Sequence, residues 1–178
     1  MKVARDLLGC ELRHDTPEGT SAGRIVETEA YRGFGDEASH ARRGSTPRSQ
    51  VMFGAPGKAY VYFIYGMHFM LNVVTGPEGT ASAVLIRALE PTLGLELMRK
   101  RRRLNQKDLL ANGPGKLTQA LGITLEQNGE DITVGPLGIW RRSQMKRQDI
   151  EATPRVGVVG SVENPWRFLI KGNQYVSV

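Results

Sequence analysis

The 178-residue chain is 40% hydrophobic and 24% charged. That is enough apolar content for one packed core, and the length is too short for two domains of ordinary size. No apolar run reaches the roughly 20 residues that a membrane helix needs, and Met1-Lys2-Val3-Ala4-Arg5-Asp6 meets charge too early for a secretory signal. The 24 Lys and Arg exceed the 18 Asp and Glu, a net charge of +6, which favours a polyanionic partner. The single cysteine, Cys10, excludes an intramolecular disulfide and fits a reducing, intracellular location.

Taken in chain order, residues 3–8 are expected to form a short helix closed by Gly9. Residues 10–13 and 23–31 read as strands on either side of a polar turn at 15–19. In Arg24-Ile25-Val26-Glu27-Thr28-Glu29-Ala30-Tyr31, strand alternation puts Ile25, Glu27, Glu29 and Tyr31 on one face. A carboxylate beside an aromatic ring can wall a pocket that stacks a flat ligand and activates a water. A solvated strand face carrying two glutamates explains the pattern equally well. Two residues of strand separate Glu27 and Glu29 by about 6 to 7 Å at Cα. That approaches the spacing of the acid and base of inverting glycosidases.

Residues 32–57, rich in Gly, Ser, Arg and Pro, are expected to be mostly loop, and a loop that long is often functional. Residues 59–74, AYVYFIYGMHFMLNVV, carry the clearest strand pattern, a hairpin reversing near Gly66. A reversal centred on Met67 with an odd number of loop residues pairs Tyr62 with Asn72 on one face. A two-residue Gly66-Met67 loop puts them on opposite faces. Either way, Tyr65, Gly66, Met67 and His68 place bulky groups where a tip normally carries Asn, Gly or Asp. Such a tip either packs under a neighbouring loop or wedges between base steps.

Residues 82–89 read as a strand carrying Arg87 among apolar neighbours. After Pro91, the spacing of Leu93, Leu97 and Met98 predicts a helix that runs into Arg99-Lys100-Arg101-Arg102-Arg103. Residues 115–121 read as a helix closed by Gly122, and the chain from Asp131 onward as strands between Gly and Pro turns. The expected class is α+β: a single domain over 1–178, with a mixed or antiparallel sheet core, a protruding hairpin and a few packed helices.

Several chemistries are excluded. His14, His40 and His68 have no partner at zinc-ligand spacing and one cysteine makes no thiolate cluster, so neither metal nor cofactor is expected. There is no GxSxG elbow. Gly113-Pro114-Gly115-Lys116-Leu117 lacks the earlier Gly and the following Ser or Thr of a phosphate loop. Its helix N-terminus suits a backbone phosphate, although an ordinary helix start explains it more simply. Basic clusters stand at Arg42-Arg43, at residues 99–103 and at Arg141-Arg142 with Lys146-Arg147, each explicable singly as solvated surface.

In order and at matching spacing, a set of runs resembles the alkyladenine (3-methyladenine, methylpurine-type) DNA glycosylase family. The runs are Gly23 through Tyr31, Asp36-Glu37-Ala38-Ser39-His40, Thr46-Pro47-Arg48, Met52-Phe53, Pro56-Gly57, Tyr60-Val61-Tyr62, Tyr65-Gly66-Met67 and Asn72-Val73. They continue with Leu85 through Pro91, Gly113-Pro114, Leu117 through Leu121, Pro154 through Val158 and Tyr175-Val176-Ser177-Val178. The chain departs from the family's usual pattern at Ser49, where Asn is common, and at Met70, where Cys is frequent. It begins close to the family's first helix, leaving room for an upstream extension.

The resemblance implies that Glu29 is the general base for the attacking water, with Arg87 and the Val156 carbonyl positioning that water. It implies that Tyr31, His40 and Tyr62 sandwich an extruded base, that Asn72 gates against normal guanine, and that Tyr65 fills the gap left in the duplex. Arg48, Met67 and Lys116 are implied as further DNA contacts. The odd-length hairpin is implied as well. The expected activity is monofunctional excision of alkylated or deaminated purines from double-stranded DNA by a monomer without a cofactor, since no lysine is placed to form a Schiff base. Two alternatives are a non-catalytic nucleic-acid-binding domain using the hairpin tip and basic surface, and a hydrolase of free nucleosides, which would have no use for Tyr65.

Overall fold

The computed structural model describes residues 1–142 and 145–177; Val178, the last residue of the family-like runs, lies outside the described residues. The chain opens with α1 (Lys2–Asp6), β1 (Glu11–Thr16) and β2 (Gly19–Arg32). A hairpin of β3 (Ala59–Ile64) and β4 (His68–Val74) follows, then β5 (Ser82–Leu93), α2 (Leu95–Arg102) and α3 (Pro114–Leu121). The strands β6 (Leu137–Trp140), β7 (Ile150–Thr153) and β8 (Arg167–Ile170) complete the fold. All named strands join one antiparallel sheet in the order β3-β4-β5-β2-β1-β6, with β8 also against β2 and β7 beyond it. The fold is α+β, as expected. No helix among the described residues is long and apolar enough to cross a membrane.

β2 is the axis of the sheet. One edge pairs with β5 along most of its length; the other is shared between β1, over residues 19–24, and β8, over residues 27–29. The β1–β2 hairpin runs further into the polar stretch than the expected turn, because Thr16 pairs with Gly19 and the Thr20 hydroxyl donates to Asp15 at 2.6 Å. Ile25, Ile86, Leu89, Leu117, Leu121 and Phe168 meet in the core with almost no exposure, each worth about 1.5–3 kcal/mol in apolar surface removed from water.

The β2–β5 ladder slips three times, twice near its middle. Ile25 pairs with Leu89, Glu27 with Ala88 and Thr28 with Ile86, so Val26 on one strand and Arg87 on the other are skipped. Such bulges re-aim side chains. Ile25 and Val26 both enter the core, and the expected four-residue face shrinks to Glu27, Glu29 and Tyr31. β5 also runs past Pro91 to Leu93, where a helix was expected to start; the ladder slips again beside Pro91 and tolerates its missing donor. Leu93 is therefore exposed, and of the predicted helix face Met98 alone is fully buried.

The hairpin reverses on Gly66, not Met67. Ile64 pairs with His68, which puts Tyr62 opposite Met70 and Tyr60, rather than Tyr62, opposite Asn72. The three-residue loop keeps the odd count, so Tyr60, Tyr62, Met70 and Asn72 still share a face. Tyr65 and Gly66 both hold positive φ, 55° and 67°, and the Met67 N–H donates to the Ile64 carbonyl at 3.3 Å. Two successive positive φ values give the mirror-image turn whose twist matches antiparallel strands. Below the tip, His68 lies on the first turn of α3. A Cβ at Gly115 would come within 2.8 Å of the His68 ring, so only glycine lets the hairpin and helix approach this closely.

Residues 33–57 are loop apart from a short 3₁₀ turn at Gln50–Phe53. A buried ion pair anchors this loop: both guanidinium NH₂ groups of Arg155 donate to Asp36 at 2.8 Å, with neither side chain exposed. Asp36 also accepts from the Arg32 and Ala38 amides, and Arg155 donates to the Ala30 carbonyl. The Arg155 guanidinium lies between the Tyr31 and Trp166 rings, 4.7 and 4.9 Å from their centroids. The pair thus fastens the loop that carries His40 to the segment that carries Val156. Asp36→Ala would strand a buried cation, and a loss of about 3–5 kcal/mol is expected; urea unfolding at pH 7 measures it, and a change under 1 kcal/mol would contradict this anchoring role.

Candidate active site

A cavity of about 410 Å³ opens beside the hairpin, within the range of small-ligand sites. Tyr31, His40, Tyr62, Tyr65, Asn72, Arg87 and Val156 all line it, so strands β2 to β5 and two loops bring together residues spread over most of the chain. Met70, at the position where the family often has Cys, lines it too.

Glu29 is fully buried behind this lining and touches it through three partners. The Tyr31 hydroxyl donates to one carboxylate oxygen at 2.7 Å. The other oxygen accepts the Val156 amide at 2.8 Å and faces an Arg87 nitrogen at 3.2 Å. The Val156 N–H thus acts on the carboxylate directly, a contact additional to the water-positioning carbonyl expected of the same residue. Burial and the adjoining Glu29 charge push the Tyr31 phenol well above its ordinary range, so it stays a neutral donor.

The opposite wall is aromatic. The His40 and Tyr62 rings meet edge to face at 4.5 Å, and Tyr60 and Tyr62 lie 5.3 Å apart. His40 Nδ1 is 2.9 Å from the Tyr60 hydroxyl. Burial, reinforced by Arg48 and Arg42, lowers the His40 pKa to about 4, so the ring is neutral near pH 7. Burial raises Tyr62 far beyond the usual phenol range and Tyr60 to about 12. Asn72 donates its side-chain N–H to the Tyr60 carbonyl across the hairpin at 3.2 Å, which fixes the amide against the wall.

Of the expected DNA contacts, Tyr65 and Met67 project from the tip at 74% and 68% exposure. Arg48 is exposed, with its guanidinium 5.0 Å from the centre of the Tyr62 ring. Lys116 is half-buried and bonded to Asn112 at 3.0 Å. The 99–103 cluster is largely engaged in pairs within the chain at its surface: Arg99 pairs with Glu96, Lys100 and Arg101 with Glu18, and Arg102 bonds Gln119. Arg42, by contrast, lines the cavity.

Glu27 does not line the cavity. It is fully buried and accepts from Arg87, Arg167 and both the amide and hydroxyl of Ser177. Sequence reading also passed over Tyr60, whose place two residues from Tyr62 on a strand was the available signal. Arg155 and Asp36 gave none, being 119 residues apart.

The methylpurine-DNA glycosylase family model matches residues 1–174. A relative from Methanoculleus marisnigri is 53% identical over 98% of this chain and 92% of its own length. One from Prosthecochloris aestuarii is 52% identical over 98% of this chain and 85% of its own. One from Carboxydothermus hydrogenoformans is 49% identical, over 98% and 92%. All three are provisionally named 3-methyladenine DNA glycosylase. The chain therefore belongs to the methylpurine-DNA glycosylase family, DNA N-glycosylases of base-excision repair.

Proposed function

We propose that the enzyme extrudes alkylated or deaminated purines from duplex DNA, the class of 3-methyladenine, 7-methylguanine, hypoxanthine and ethenoadenine, and hydrolyses the N-glycosidic bond with a water activated by Glu29. An abasic site is left. The observation that carries this reading is the buried Glu29 carboxylate, held by Tyr31, Arg87 and Val156, all of which line one tyrosine-walled cavity of about 410 Å³.

A carboxylate offers about four lone-pair positions; Tyr31 and Val156 hydrogen-bond to two of them, and Arg87 faces one oxygen at 3.2 Å. In this reading a position on the carboxylate without a protein partner orients a water and draws off its proton as the C1′–N bond breaks. The negative carboxylate also stabilises the oxocarbenium-like sugar. Among the described residues the cavity lining contains no lysine, which supports water as the nucleophile and a monofunctional reaction.

Extrusion costs a few kcal/mol. Stacking on aromatic walls returns about 1–3 kcal/mol per base, and a π-face attracts a cationic alkylated ring further. A neutral His40 adds no repulsion to that cation. Tyr65, in a strained turn at the tip, would occupy the vacated position in the stack. Asn72, clamped to the Tyr60 carbonyl, cannot swing aside and so rejects a base with an exocyclic amine at the wrong edge.

Glu29→Gln should lower single-turnover base release by about 10²-fold or more while lesion-duplex affinity persists; release at the parent rate would refute the base assignment. Tyr65→Asn should relieve part of the roughly 1–3 kcal/mol held by a non-glycine residue at positive φ, raising the melting temperature while excision falls. An equal or faster excision rate would remove the wedge role. Asn72→Ser should increase guanine release from undamaged duplex, followed chromatographically, and an unchanged background would exclude the gate. A merely DNA-binding domain would release no base in any of these assays.

A further inference from the structure

Arg87 has five N–H donors in a rigid fork, and the structure uses them unequally. Its Nε donates to Glu27 at 2.9 Å and one terminal nitrogen donates to the Ser177 hydroxyl at 3.3 Å. The other terminal nitrogen faces Glu29 at 3.2 Å. One edge of the guanidinium is therefore seated on Glu27 and Ser177, leaving a single arm for the cavity. We propose that Glu27 and Ser177 are positioning residues for the hydrolytic step, a seat that holds Arg87 beside Glu29 without letting it close over the carboxylate. This inference rests on the reading of Glu29 as the base.

The electrostatics explain why a seat is needed. Glu27, Glu29, Arg87 and Arg167 form a buried group of two anions and two cations. Arg167 is fixed at the far side, with its Nε 2.6 Å from Glu27 and a terminal nitrogen 3.2 Å from the Ser177 carbonyl. Remove the Glu27 charge and one anion remains for two guanidiniums. Arg87 then gains by turning its fork onto Glu29, since two parallel N–H bonds to a carboxylate are stronger than one. That turn fills the lone-pair position that a hydrolytic water requires. Neither Glu27 nor Ser177 lines the cavity, and each meets Arg87, which does.

Ser177 brings the end of the chain into the mechanism. Its amide donates to Glu27 at 2.6 Å and its hydroxyl at 2.9 Å, and the buried Tyr175 holds the preceding turn in the core. Ser177 thus closes the seat from behind, on the side of the sheet where β8 delivers Arg167.

Single-turnover release from an alkylated duplex and affinity for the same duplex test this on Glu27→Gln, Arg87→Gln, the double variant and Ser177→Ala, with Glu29→Gln alongside. Glu27→Gln should slow release about 10- to 100-fold, the size by which outer hydrogen-bond partners tune a reactive centre, with affinity unchanged. The double variant should be no slower than Arg87→Gln alone, because the two residues act as one unit. Release at the parent rate by Glu27→Gln, or losses that multiply in the double variant, would overturn the seat. Should Glu27→Gln fail to fold, Ser177→Ala decides: several-fold slower release at unchanged affinity supports the seat, and the parent rate overturns it. A fully active Glu29→Gln would instead condemn the underlying base reading, whereas an inactive Glu29→Gln beside a fully active Glu27→Gln condemns the seat alone.

Discussion

Two carboxylates buried two residues apart on one strand cannot stand uncompensated, since an unpaired charge in a protein interior costs several kcal/mol. Much of the architecture around β2 answers that constraint. β5 supplies Arg87 at a bulge, β8 supplies Arg167, and the chain end supplies the Ser177 amide and hydroxyl. The placement of β8 beside the second half of β2, where β1 leaves the edge free, is what delivers the second cation. Charge compensation and sheet topology are here one design.

A second buried pair does comparable work at the rim. Asp36 and Arg155 unite two loops that have no regular secondary structure to order them, and Arg155 spreads between Tyr31 and Trp166. One aromatic wall is thereby backed by a planar cation, while the other, His40 and Tyr62, is held by hydrogen bonding and ring contacts within the hairpin face. Unlike supports suit unlike tasks. The Tyr31 side carries the hydroxyl that grips Glu29, and the His40 side presents a neutral imidazole.

Local patterns made much of this legible in the sequence. Strand alternation placed Glu29 beside Tyr31, the aromatic run gave the hairpin, and Gly122 marked the end of α3, where it adopts a φ of 70°. What escaped depends on distant partners. The hairpin centre moved by one residue because Tyr65, an unusual left-handed residue, takes the turn position with Gly66. Ile25 left its expected face because a bulge at Val26 has meaning only against β5. Glu27 and Glu29 look alike in sequence, yet one meets two arginines and a chain end while the other meets a tyrosine and a loop amide. The basic run at 99–103 stays at the surface, but its pairing with Glu18, 82 residues from Lys100, left no local mark.

The close fit of His68 on Gly115 has a mechanical consequence. A protruding two-stranded arm would ordinarily sway, and any side chain at its end would search a wide volume before meeting its target. Here the arm is butted, just behind its tip, against a helix with no room for even one methyl group between them. Tyr65 is consequently presented at the end of a braced lever, and force exerted on it by a duplex is transmitted into the helical layer and not lost in bending.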